Sequence, residues 1–547
     1  MKTCYTKTVN KSLLLFVIPL LICQHVYAQY TFRKVNGGNE FDYGNCVLET
    51  PDKGLCIIGS TSSFGSGNDD VYIVKLDSSG NMQWSKTFDW GRKEYGLSAV
   101  ITRDKGIAVT GYCFISFFSD TLWDAFVLKL DSKGNTLWNK TIGGSGQDYG
   151  RNIIENLKGE LLISGCTRSY GKGLNDIYLT KLTPQGDLVW SKTYGTTGDD
   201  IAYSVTATRG GFAFAGASNG FRPFVTKCDS SGNVIWSKTI SGNTVALGAF
   251  NSIIQTDDNG LALTGYTKTS TRGYDVLNVK LASNGKVEWF AVLGDQGDDK
   301  GNSIIQDKRG NYVITGYVDY ARRGHSQSLN LIKISRAGVL LWHRTITEQL
   351  DAIGNSVIRW NNDGYVVAGA AWQNVGGDLY KPDLYLAQFD TLGIICGTAG
   401  SYNSLRKLTP HVEELNFDTS NGCIVTASIV NTYTGGAFSD ECPPPVMAAT
   451  EITEQKMLQK VRPFHITVIP NPVTNGVLRL RIDNNSETSI QWSITDMKGS
   501  LVFTQNMQVP AQSSYTNINI SKLPPGIYVL KANNNFVQES IKFIKVN

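Results

Sequence analysis

Tryptophan recurs along this chain at intervals close to fifty residues, and this repeat restricts the fold more than any other feature. Six tryptophans are spaced by 54, 52, 46, 53 and 53 residues, at Trp84, Trp138, Trp190, Trp236, Trp289 and Trp342. Each follows a glycine by four positions, and a seventh glycine, Gly393, continues the series. A second series keeps the same register: Gly59, Gly111, Gly165, Gly216, Gly265, Gly316 and Gly369. Because several residue types hold phase together, the chain contains seven repeats.

Each repeat divides into four short strand-like runs separated by turn residues. In the fifth repeat the runs are 251–255, 261–266, 276–281 and 287–293. A unit of this length with four strands is typical of a β-propeller blade. One blade cannot bury both of its faces, whereas seven blades packed around an axis can. The sequence therefore predicts an all-β fold, with a seven-bladed β-propeller of four-stranded blades over residues 29–396.

The seventh repeat lacks its fourth strand, since Gly393 leads only into Ile-Ile-Cys-Gly. A matching segment occurs at the other end of the chain. Residues 30–34 precede Gly37 much as residues 190–194 precede Gly195. We predict that this N-terminal segment supplies the outer strand of the last blade, which would remove an open sheet edge.

Residues 1–28 are typical of a secretory signal peptide. Three lysines precede the apolar run 13–22, and the segment ends in Val-Tyr-Ala. The run is too short for a permanent membrane helix, and bulky Ile22 disfavours a lipoprotein signal at Cys23. We expect export to the periplasm and no transmembrane segment in the mature chain. Loss of the leader lowers the formal charge from +4 to near +1, so we expect no nucleic-acid partner.

The run from Leu76 to Trp84, LDSSGNMQW, resembles the tryptophan-docking motif of quinoprotein-type propellers. In that family an Asp, a Gly and a Trp tie neighbouring blades together. This chain has one residue fewer between Asp and Gly, and seven repeats where quinoprotein dehydrogenases have eight. Nothing in the chain matches their cofactor site. The resemblance therefore implies an architecture without an activity, and we expect no cofactor.

Residues 397–462 break the repeat, and we interpret them as an extension and linker in which 415–430 adds a hairpin. Seven short strand-like runs then follow over 463–547. That number of short strands in a segment of this size predicts a small C-terminal β-sandwich.

This last segment resembles the type A C-terminal sorting domain of Bacteroidetes type IX secretion. The matching motifs, in order, are PNP at 470–472, DMKG at 496–499, LPPGIY at 523–528 and KFIKV at 542–546. The sorting residues that the resemblance implies are Pro470, Asn471, Pro472, Gly499, Gly526, Tyr528, Lys542 and Lys545. It also implies the type IX secretion machinery as a partner, and release or attachment at the cell surface after removal of the domain.

No residue pattern points to catalysis. Histidines number only 5, HExxH does not occur, and we identify no nucleophile elbow. Aspartates recur before the third strand and between repeats. Calcium is one interpretation of them, but we favour turn capping and expect no metal site. Lysines recur on the third strand, and we interpret them as part of the scaffold.

Function is therefore expected where the repeats differ. Loops between second and third strands, and loops between blades, share one face of a propeller. Four unusual loops there carry the candidate ligand-binding residues Trp90, Arg92, Phe117, Trp123, Tyr320, Arg322, Arg323, Trp372 and Tyr380. Such side chains stack on sugars or anchor peptides, and the alternative is local packing beneath long loops.

The leading interpretation is a non-enzymatic binding or scaffold protein, secreted or on the cell surface, with a glycan or protein ligand. Two alternatives remain open: a secreted hydrolase or lyase acting on glycans or peptides, and a structural adhesin module. A clustered pair of carboxylates among the four loops would favour an enzyme, and we expect no such cluster in these aromatic and basic loops.

Overall fold

The computed structural model is all-β and forms two compact units, Met1–Pro445 and Val446–Asn547. Within the described residues, no helix has the length and hydropathy needed to cross a membrane. The leader 1–28 lies outside them. The structure describes residues 31–546 except 67, 115–121, 220, 243–246, 271–272, 295–296, 320–326, 347–350, 362, 373–380, 396–397, 400–404, 407–409, 416–417, 422–423, 428–430, 435–437, 441–464, 469–472, 474–475, 484–487, 497–499, 510–513 and 534–537.

Short strands separated by tight turns make up the repeat region, as the turn residues predicted. They are β1 (Phe32–Asn36), β2 (Asp42–Glu49), β3 (Leu55–Thr61), β4 (Asp70–Leu76), β5 (Met82–Asp89), β6 (Glu94–Ile101), β7 (Ile107–Phe114), β8 (Trp123–Leu130), β9 (Thr136–Gly143), β10 (Asp148–Glu155), β11 (Leu161–Thr167), β12 (Asp176–Leu182), β13 (Leu188–Gly195), β14 (Ile201–Thr208), β15 (Gly211–Ser218), β16 (Arg222–Asp229), β17 (Val234–Gly242), β18 (Gly248–Gln255), β19 (Leu261–Ser270), β20 (Gly273–Leu281), β21 (Val287–Leu293), β22 (Lys300–Gln306), β23 (Tyr312–Asp319), β24 (Gln327–Ile334), β25 (Leu340–Ile346), β26 (Asp351–Trp360), β27 (Gly364–Trp372) and β28 (Pro382–Phe389).

These strands form repeated antiparallel sheets, each built from four neighbouring strands. Sheet 1 is β2–β5, sheet 2 is β6–β9, sheet 3 is β10–β13, sheet 4 is β14–β17, sheet 5 is β18–β21, sheet 6 is β22–β25, and sheet 7 is β26–β28 followed by β1. The N-terminal strand β1 pairs with β28, with Phe32 opposite Gln388 and Asn36 opposite Leu384. The prediction that the N-terminus completes the last sheet is confirmed.

Burial differs between the strands of a sheet in a regular way. In sheet 1 every residue of the two middle strands, β3 and β4, is buried. The first strand β2 alternates between buried and partly buried residues, and the fourth strand β5 begins with exposed residues. Middle strands covered on both faces explain the continuous apolar runs in the sequence.

Each repeat tryptophan packs against the turn glycine of the next sheet. These glycines have φ between +71° and +84°. A Cβ added to them would lie 3.4 Å or less from the docked ring. The docked pairs are Trp84 on Gly134, Trp138 on Gly186, Trp190 on Gly232, Trp236 on Gly285, Trp289 on Gly338, Trp342 on Gly393 and Phe32 on Gly80. Phe32 thus takes the place of the tryptophan that the seventh repeat lacks.

Three of the recurring lysines of the third strands are buried and form ion pairs with the turn between first and second strands. Lys75 Nζ lies 2.9 Å from Asp52, and Lys129 Nζ lies 2.9 Å from Asp104. Lys280 repeats the arrangement at 3.1 Å from Asp258. Contacts of this kind within one sheet support the interpretation of these lysines as scaffold.

A further set of very short strands follows the repeats, and we call it the belt. It comprises β29 (Thr398–Ala399), β30 (Leu405–Arg406), β31 (Pro410–Glu414), β32 (Asp418–Asn421), β33 (Ile424–Ala427), β34 (Asn431–Thr434) and β35 (Phe438–Asp440). In chain order these strands add a fifth strand to sheets 6, 5, 4, 3, 2, 1 and 7. The hairpin expected over 415–430 does not form, because β32 and β33 pair with different sheets, with β13 and β9.

The second unit is a sandwich of two sheets around one core. Its strands are β36 (His465–Val468), β37 (Val477–Asp483), β38 (Thr488–Asp496), β39 (Leu501–Val509), β40 (Ser514–Asn519), β41 (Gly526–Asn533) and β42 (Gln538–Lys545). One sheet has the order β36-β37-β40 and the other β39-β38-β41-β42. Leu478 and Ile518 from the first sheet and Trp492, Leu530 and Phe543 from the second belong to one buried cluster.

Candidate ligand-binding site

The first strand of every repeat sheet carries a β-bulge at the same place. In β2, Gly44 pairs with Gly59 and Cys46 with Ile58, so that Asn45 is the extra residue between them. The corresponding extra residues of the other sheets are Leu97, Arg151, Tyr203, Asn251, Asn302 and Asn355. A bulge redirects a side chain out of the regular ladder. Each sheet therefore has one such extra residue, at the same place on its first strand.

Asparagine at four of these positions joins neighbouring sheets. The side-chain Nδ2 donates to a first-strand carbonyl oxygen of the next sheet in four pairs: Asn45 to Gly96 at 2.8 Å, Asn251 to Gly301 at 3.0 Å, Asn302 to Gly354 at 3.0 Å and Asn355 to Gly44 at 3.1 Å. Sheets 2, 3 and 4 have Leu97, Arg151 and Tyr203 instead. These three residues depart from the structural role that the asparagines fill.

Arg151 lies between two tyrosine rings. Its guanidinium carbon is 5.3 Å from the ring centre of Tyr149 and 5.8 Å from that of Tyr203, within the range of cation–π attraction. The side chain is partly buried beside the Cys166 thiol, and its Nε is buried without a hydrogen-bond partner. Among the described residues, no carboxylate forms an ion pair with it. A positioned guanidinium without a counter-ion is suited to an incoming carboxylate or sulfate group.

Lys300 has a similar environment on sheet 6. Its Nζ lies 4.5 Å from the ring centre of Tyr266, 5.3 Å from that of Tyr274 and 5.9 Å from that of Tyr317. Burial lowers the pKa of Lys300, and the negative charge of Asp298 opposes that shift. The described part of the chain contains no ion-pair partner for this lysine within 4.0 Å. Lys300 is therefore a second cation held by aromatic rings without a carboxylate.

Further tyrosines connect these two cations. The rings of Tyr95 and Tyr112 stack at 4.9 Å, and Tyr112 meets Tyr149 edge-on at 4.9 Å. Burial, followed by the neighbouring phenol of Tyr203, raises the pKa of Tyr266. We call these residues the tyrosine–cation band: Tyr95, Tyr112, Tyr149, Arg151, Tyr203, Tyr266, Tyr274, Lys300 and Tyr317. Burial raises the pKa of Tyr317 to about 12, so its phenol remains a hydrogen-bond donor at neutral pH.

Carboxylates beside the band already accept hydrogen bonds from the protein. Asp69 accepts one from the Tyr95 hydroxyl at 2.5 Å. Asp199 accepts one from Asn175 Nδ2 at 2.6 Å. Asp298 accepts one from the backbone N–H of Tyr274 at 2.9 Å. The negative groups are thus satisfied within the protein, whereas Arg151 and Lys300 have no carboxylate partner.

Two of the ligand-binding residues predicted from the sequence come together beside this band. The guanidinium carbon of Arg92 lies 5.5 Å from the Phe114 ring centre. The Trp123 ring lies 4.8 Å from Phe114 and 5.2 Å from Tyr112. Arg92 and Trp123 therefore share one aromatic cluster, which reaches the band through Tyr112.

The other predicted ligand-binding residues are separate or outside the described residues. Trp90 packs on Phe126 with 4.9 Å between ring centres, as the local-packing alternative expects. Trp372 ends β27 on sheet 7, opposite Asp351. Phe117, Tyr320, Arg322, Arg323 and Tyr380 lie outside the described residues. Ligand binding by the predicted loops stays a prediction.

Carboxylates meet at five junctions between sheets. Each pair joins the start of a third strand to the first strand of the next sheet, or to the residue before it: Asp383 with Asp42, Asp70 with Glu94, Asp124 with Asp148, Asp176 with Asp200 and Asp275 with Asp299. Asp42 accepts the N–H of Gly38 at 2.9 Å, and Asp148 accepts that of Gly144 at 2.9 Å. These two contacts support the interpretation of the recurring aspartates as turn caps. Asp89 adds a third carboxylate at the junction with Asp70 and Glu94. The expectation of no carboxylate cluster in the four loops is wrong here, because Asp89 and Glu94 flank Trp90 and Arg92 in one of them.

The sorting residues of the second unit converge at one end of its sandwich. The Tyr528 hydroxyl donates to the carbonyl oxygen of Pro524 at 2.8 Å. Lys545 is only 9% exposed, and its Nζ donates to the carbonyl oxygens of Ser521, at 3.0 Å, and Leu523. The LPPGIY and KFIKV motifs thus bind each other through a buried lysine.

The remaining sorting residues occupy the same two strands or lie outside the described residues. Gly526 pairs with Lys545, and Lys542 stands on β42 opposite Val529. Val473, directly after the PNP motif, donates its N–H to the carbonyl oxygen of Ile544 at 2.8 Å. Pro470, Asn471, Pro472 and Gly499 lie outside the described residues.

Residues 467–546 match the family described as the secretion system C-terminal sorting domain. The fold and this match define the class of the protein. It is a protein of repeated antiparallel sheets that is exported to the cell surface or the extracellular space. A curated protein similar to the chain is the regulatory protein FlaEY of Caulobacter vibrioides, which is 22% identical over 251 residues. That alignment covers 41% of this chain and 25% of FlaEY, so the chain spans about a quarter of its relative.

Two solved structures match the chain at low sequence identity. A protein of unknown function from Dyadobacter fermentans has 9% identity and a TM-score of 0.35, with 65% of this chain and 97% of that one covered. Sqt1 from Chaetomium thermophilum has 10% identity and a TM-score of 0.37, with 65% and 99% covered. At these TM-scores the similarities carry no functional argument.

Proposed function

We propose that this chain is a substrate of type IX secretion whose repeat sheets close into a seven-bladed β-propeller that binds an acidic glycan. The cycle of docked aromatic rings supports the closed propeller, since Phe32 of sheet 7 packs on Gly80 of sheet 1. Contacts between the first strands support it as well, because β26 contacts β2 as each other first strand contacts the next. Closure would place the seven bulges around the propeller axis.

The type IX route rests on the C-terminal sorting domain. Residues 467–546 match that family, and the buried Lys545 joins two of its sequence motifs. The proposed organisation is a cleaved leader over 1–28, a propeller over 29–396, an extension over 397–462 and the sorting domain over 463–547. A Bacteroidetes origin, passage through the periplasm and attachment or release at the cell surface belong to the same proposal.

The single observation that carries the binding proposal is the tyrosine–cation band. Arg151 and Lys300 are two cations without carboxylate partners, and they suit the carboxylate or sulfate groups of an acidic glycan. The tyrosine rings offer faces on which sugar rings stack. Their hydroxyls donate hydrogen bonds to sugar oxygens. The neighbouring Arg92 and Trp123 would extend the same surface.

A glycan array with uronate-containing, sulfated and neutral oligosaccharides tests the proposal. We compare the wild-type protein with Arg151→Asn and Lys300→Ile, which introduce residues found at the equivalent bulge or strand positions of other sheets. We expect wild-type binding to acidic glycans and a loss of about tenfold in affinity for each variant, as for one charge-assisted hydrogen bond.

The matched control is Arg336→Ala. Arg336 is 53% exposed and pairs with Asp257 at the opposite ends of the strands. It tests whether loss of any exposed arginine weakens binding. Equal loss with Arg336→Ala, or binding to acidic glycans that survives in the Arg151→Asn and Lys300→Ile double variant, would contradict the proposed site.

A further inference from the structure

The junction between sheets 1 and 2 differs from the other acidic junctions by one carboxylate. At three of the others, a glycine stands five residues after the docked ring and lies between the two carboxylates. A Cβ added to Gly143, for example, would lie 2.1 Å from Asp124 Oδ1 and 2.8 Å from Asp148 Oδ2. The equivalent position of sheet 1 is Asp89. This junction therefore has three acidic residues where the others have two.

The three side chains form a compact buried cluster. One carboxylate oxygen each from Asp70, Asp89 and Glu94 lies within 4.8 Å of the others. Their exposed fractions are 0%, 3% and 0%. Among the described residues, no lysine or arginine forms an ion pair with any of them. Buried carboxylates without cationic side chains are normally neutralised by protons or by a metal ion.

Two buried oxygen atoms at this cluster have no hydrogen-bond partner. One is Oε2 of Glu94, and the other is Oγ1 of Thr87, a fully buried side chain outside the acidic set. Thr87 Oγ1 and Asp70 Oδ2 border the same point beside Gly65, at 3.1 Å and 1.8 Å from where a Cβ would stand. Gly65, whose φ is +93°, has no side chain, which lets the Asp70 carboxylate occupy this point beside Thr87. Unsatisfied oxygens of this kind are the groups that a hard cation coordinates.

The three carboxylates disfavour one another's ionised form. Burial, together with the charges of Asp89 and Asp70, raises the pKa of Glu94 to about 9. Burial and the charge of Asp89 raise the pKa of Asp70 to about 7. A divalent cation would reverse these shifts, because it favours the ionised form of each carboxylate that it contacts.

We propose that Asp70, Asp89 and Glu94 bind a calcium ion at the junction of sheets 1 and 2, with Thr87 as an additional oxygen donor. Carboxylate and hydroxyl oxygens suit hard cations, and calcium accepts irregular sets of oxygen ligands more readily than magnesium does. Asp70 and Asp89 belong to sheet 1 and Glu94 to sheet 2, so the ion ties the two sheets together. It also fixes the loop that carries Arg92, whose N–H donates to Glu94 Oε1 at 3.2 Å.

Calorimetric titration of the chelator-treated full-length protein with calcium tests the site. We expect one calcium ion per chain and a melting temperature that rises with calcium. Asp89→Gly introduces the residue that other junctions carry, and we expect it to lower calcium affinity by at least about tenfold. The matched control is Asp124→Asn at the junction of sheets 2 and 3, which should bind calcium as the wild type does.

Three results would overturn the assignment: no calcium binding by the wild type, unchanged affinity in Asp89→Gly, or a preference for magnesium over calcium. Circular dichroism verifies that each variant is folded. If Asp89→Gly does not fold, Glu94→Gln keeps the size of the side chain and carries the same expectation. Unchanged affinity in that variant would overturn the proposal equally.

Discussion

At the scale of single residues, the turn glycines determine how neighbouring sheets meet. Gly134 has φ of +75°, and a Cβ there would lie 2.7 Å from the Trp84 ring. Only glycine adopts this conformation without strain and also leaves space for the ring. Each turn glycine therefore has two roles. It forms the turn four residues before the tryptophan of its own sheet, and it contacts the tryptophan of the preceding sheet.

Gly134→Ala should destabilise the protein much more than Gly210→Ala. Gly210 has φ of +86° but no atom within 4 Å of an added Cβ, so its substitution costs only the backbone strain of about 1 kcal/mol. Gly134→Ala adds the displacement of Trp84, which we expect to cost about 2 kcal/mol more. Urea denaturation of both variants measures the difference. Equal free energies of unfolding would show that the docking contact contributes nothing.

Residue-scale prediction from the sequence succeeded for the scaffold and missed the band. The tryptophans and glycines recur at fixed spacing, so their structural role is visible in one chain. Arg151 and Lys300 lie within strands, whereas the sequence interpretation searched loops for ligand contacts. The bulge that redirects Arg151 depends on strand pairing. In the sequence, Arg151 differs only in standing where four other repeats have asparagine. That difference is recognisable only once the bulge position is known.

At the scale of elements, the four-stranded sheets were predictable and the belt was not. Repeat strands have long apolar runs because they are buried on both faces. Belt strands span between 2 and 5 residues and pair along the outer strand of each sheet. Pairing of this kind relies on backbone hydrogen bonds, which leave no periodic pattern of side chains. The expected hairpin was wrong for this reason.

Leu415→Pro should loosen the belt on sheet 4. The N–H of Leu415 donates to the carbonyl oxygen of Ser237 on β17 at 2.9 Å, and proline lacks this donor. We expect amides of β17 to exchange with deuterium roughly tenfold faster, as for a loss of about 1.4 kcal/mol of local stability.

Leu415→Ala is the matched control, because it removes the same side chain and keeps the N–H. Its exchange in β17 should remain closer to that of the wild type. Equal acceleration in both variants would assign the effect to side-chain packing and would contradict a stabilising role of the backbone hydrogen bond.

At the scale of the whole molecule, the two units have separate cores. The buried cluster around Trp492 and Leu530 contains residues of the second unit alone. The clusters around the docked rings contain residues of the first. In the sequence, the repeat and the sorting motifs are separate signals. The repeated architecture does not identify the ligand, because the scaffold residues recur in every sheet and do not depend on what the band binds.

Calorimetry of the chain should show two unfolding transitions, because each core is lost independently. Removal of residues 446–547 should abolish one transition and leave the other within about 1 °C, since each core cluster of the described residues belongs to one unit. A single transition in the intact chain, or a large shift on truncation, would contradict independent folding.

The order of the belt also fixes how the chain responds to mechanical load. The last belt strand, β35, pairs with β1 on sheet 7, and the strands before it pair with sheets 1, 2, 3, 4, 5 and 6 in turn. Tension applied through the C-terminal end reaches β35 first. It reaches each preceding belt strand, from β34 back to β29, only after the strand that follows it in the chain has detached. A molecule tethered at that end would thus yield in up to seven small steps, and the four-stranded sheets would bear load only after the last of them.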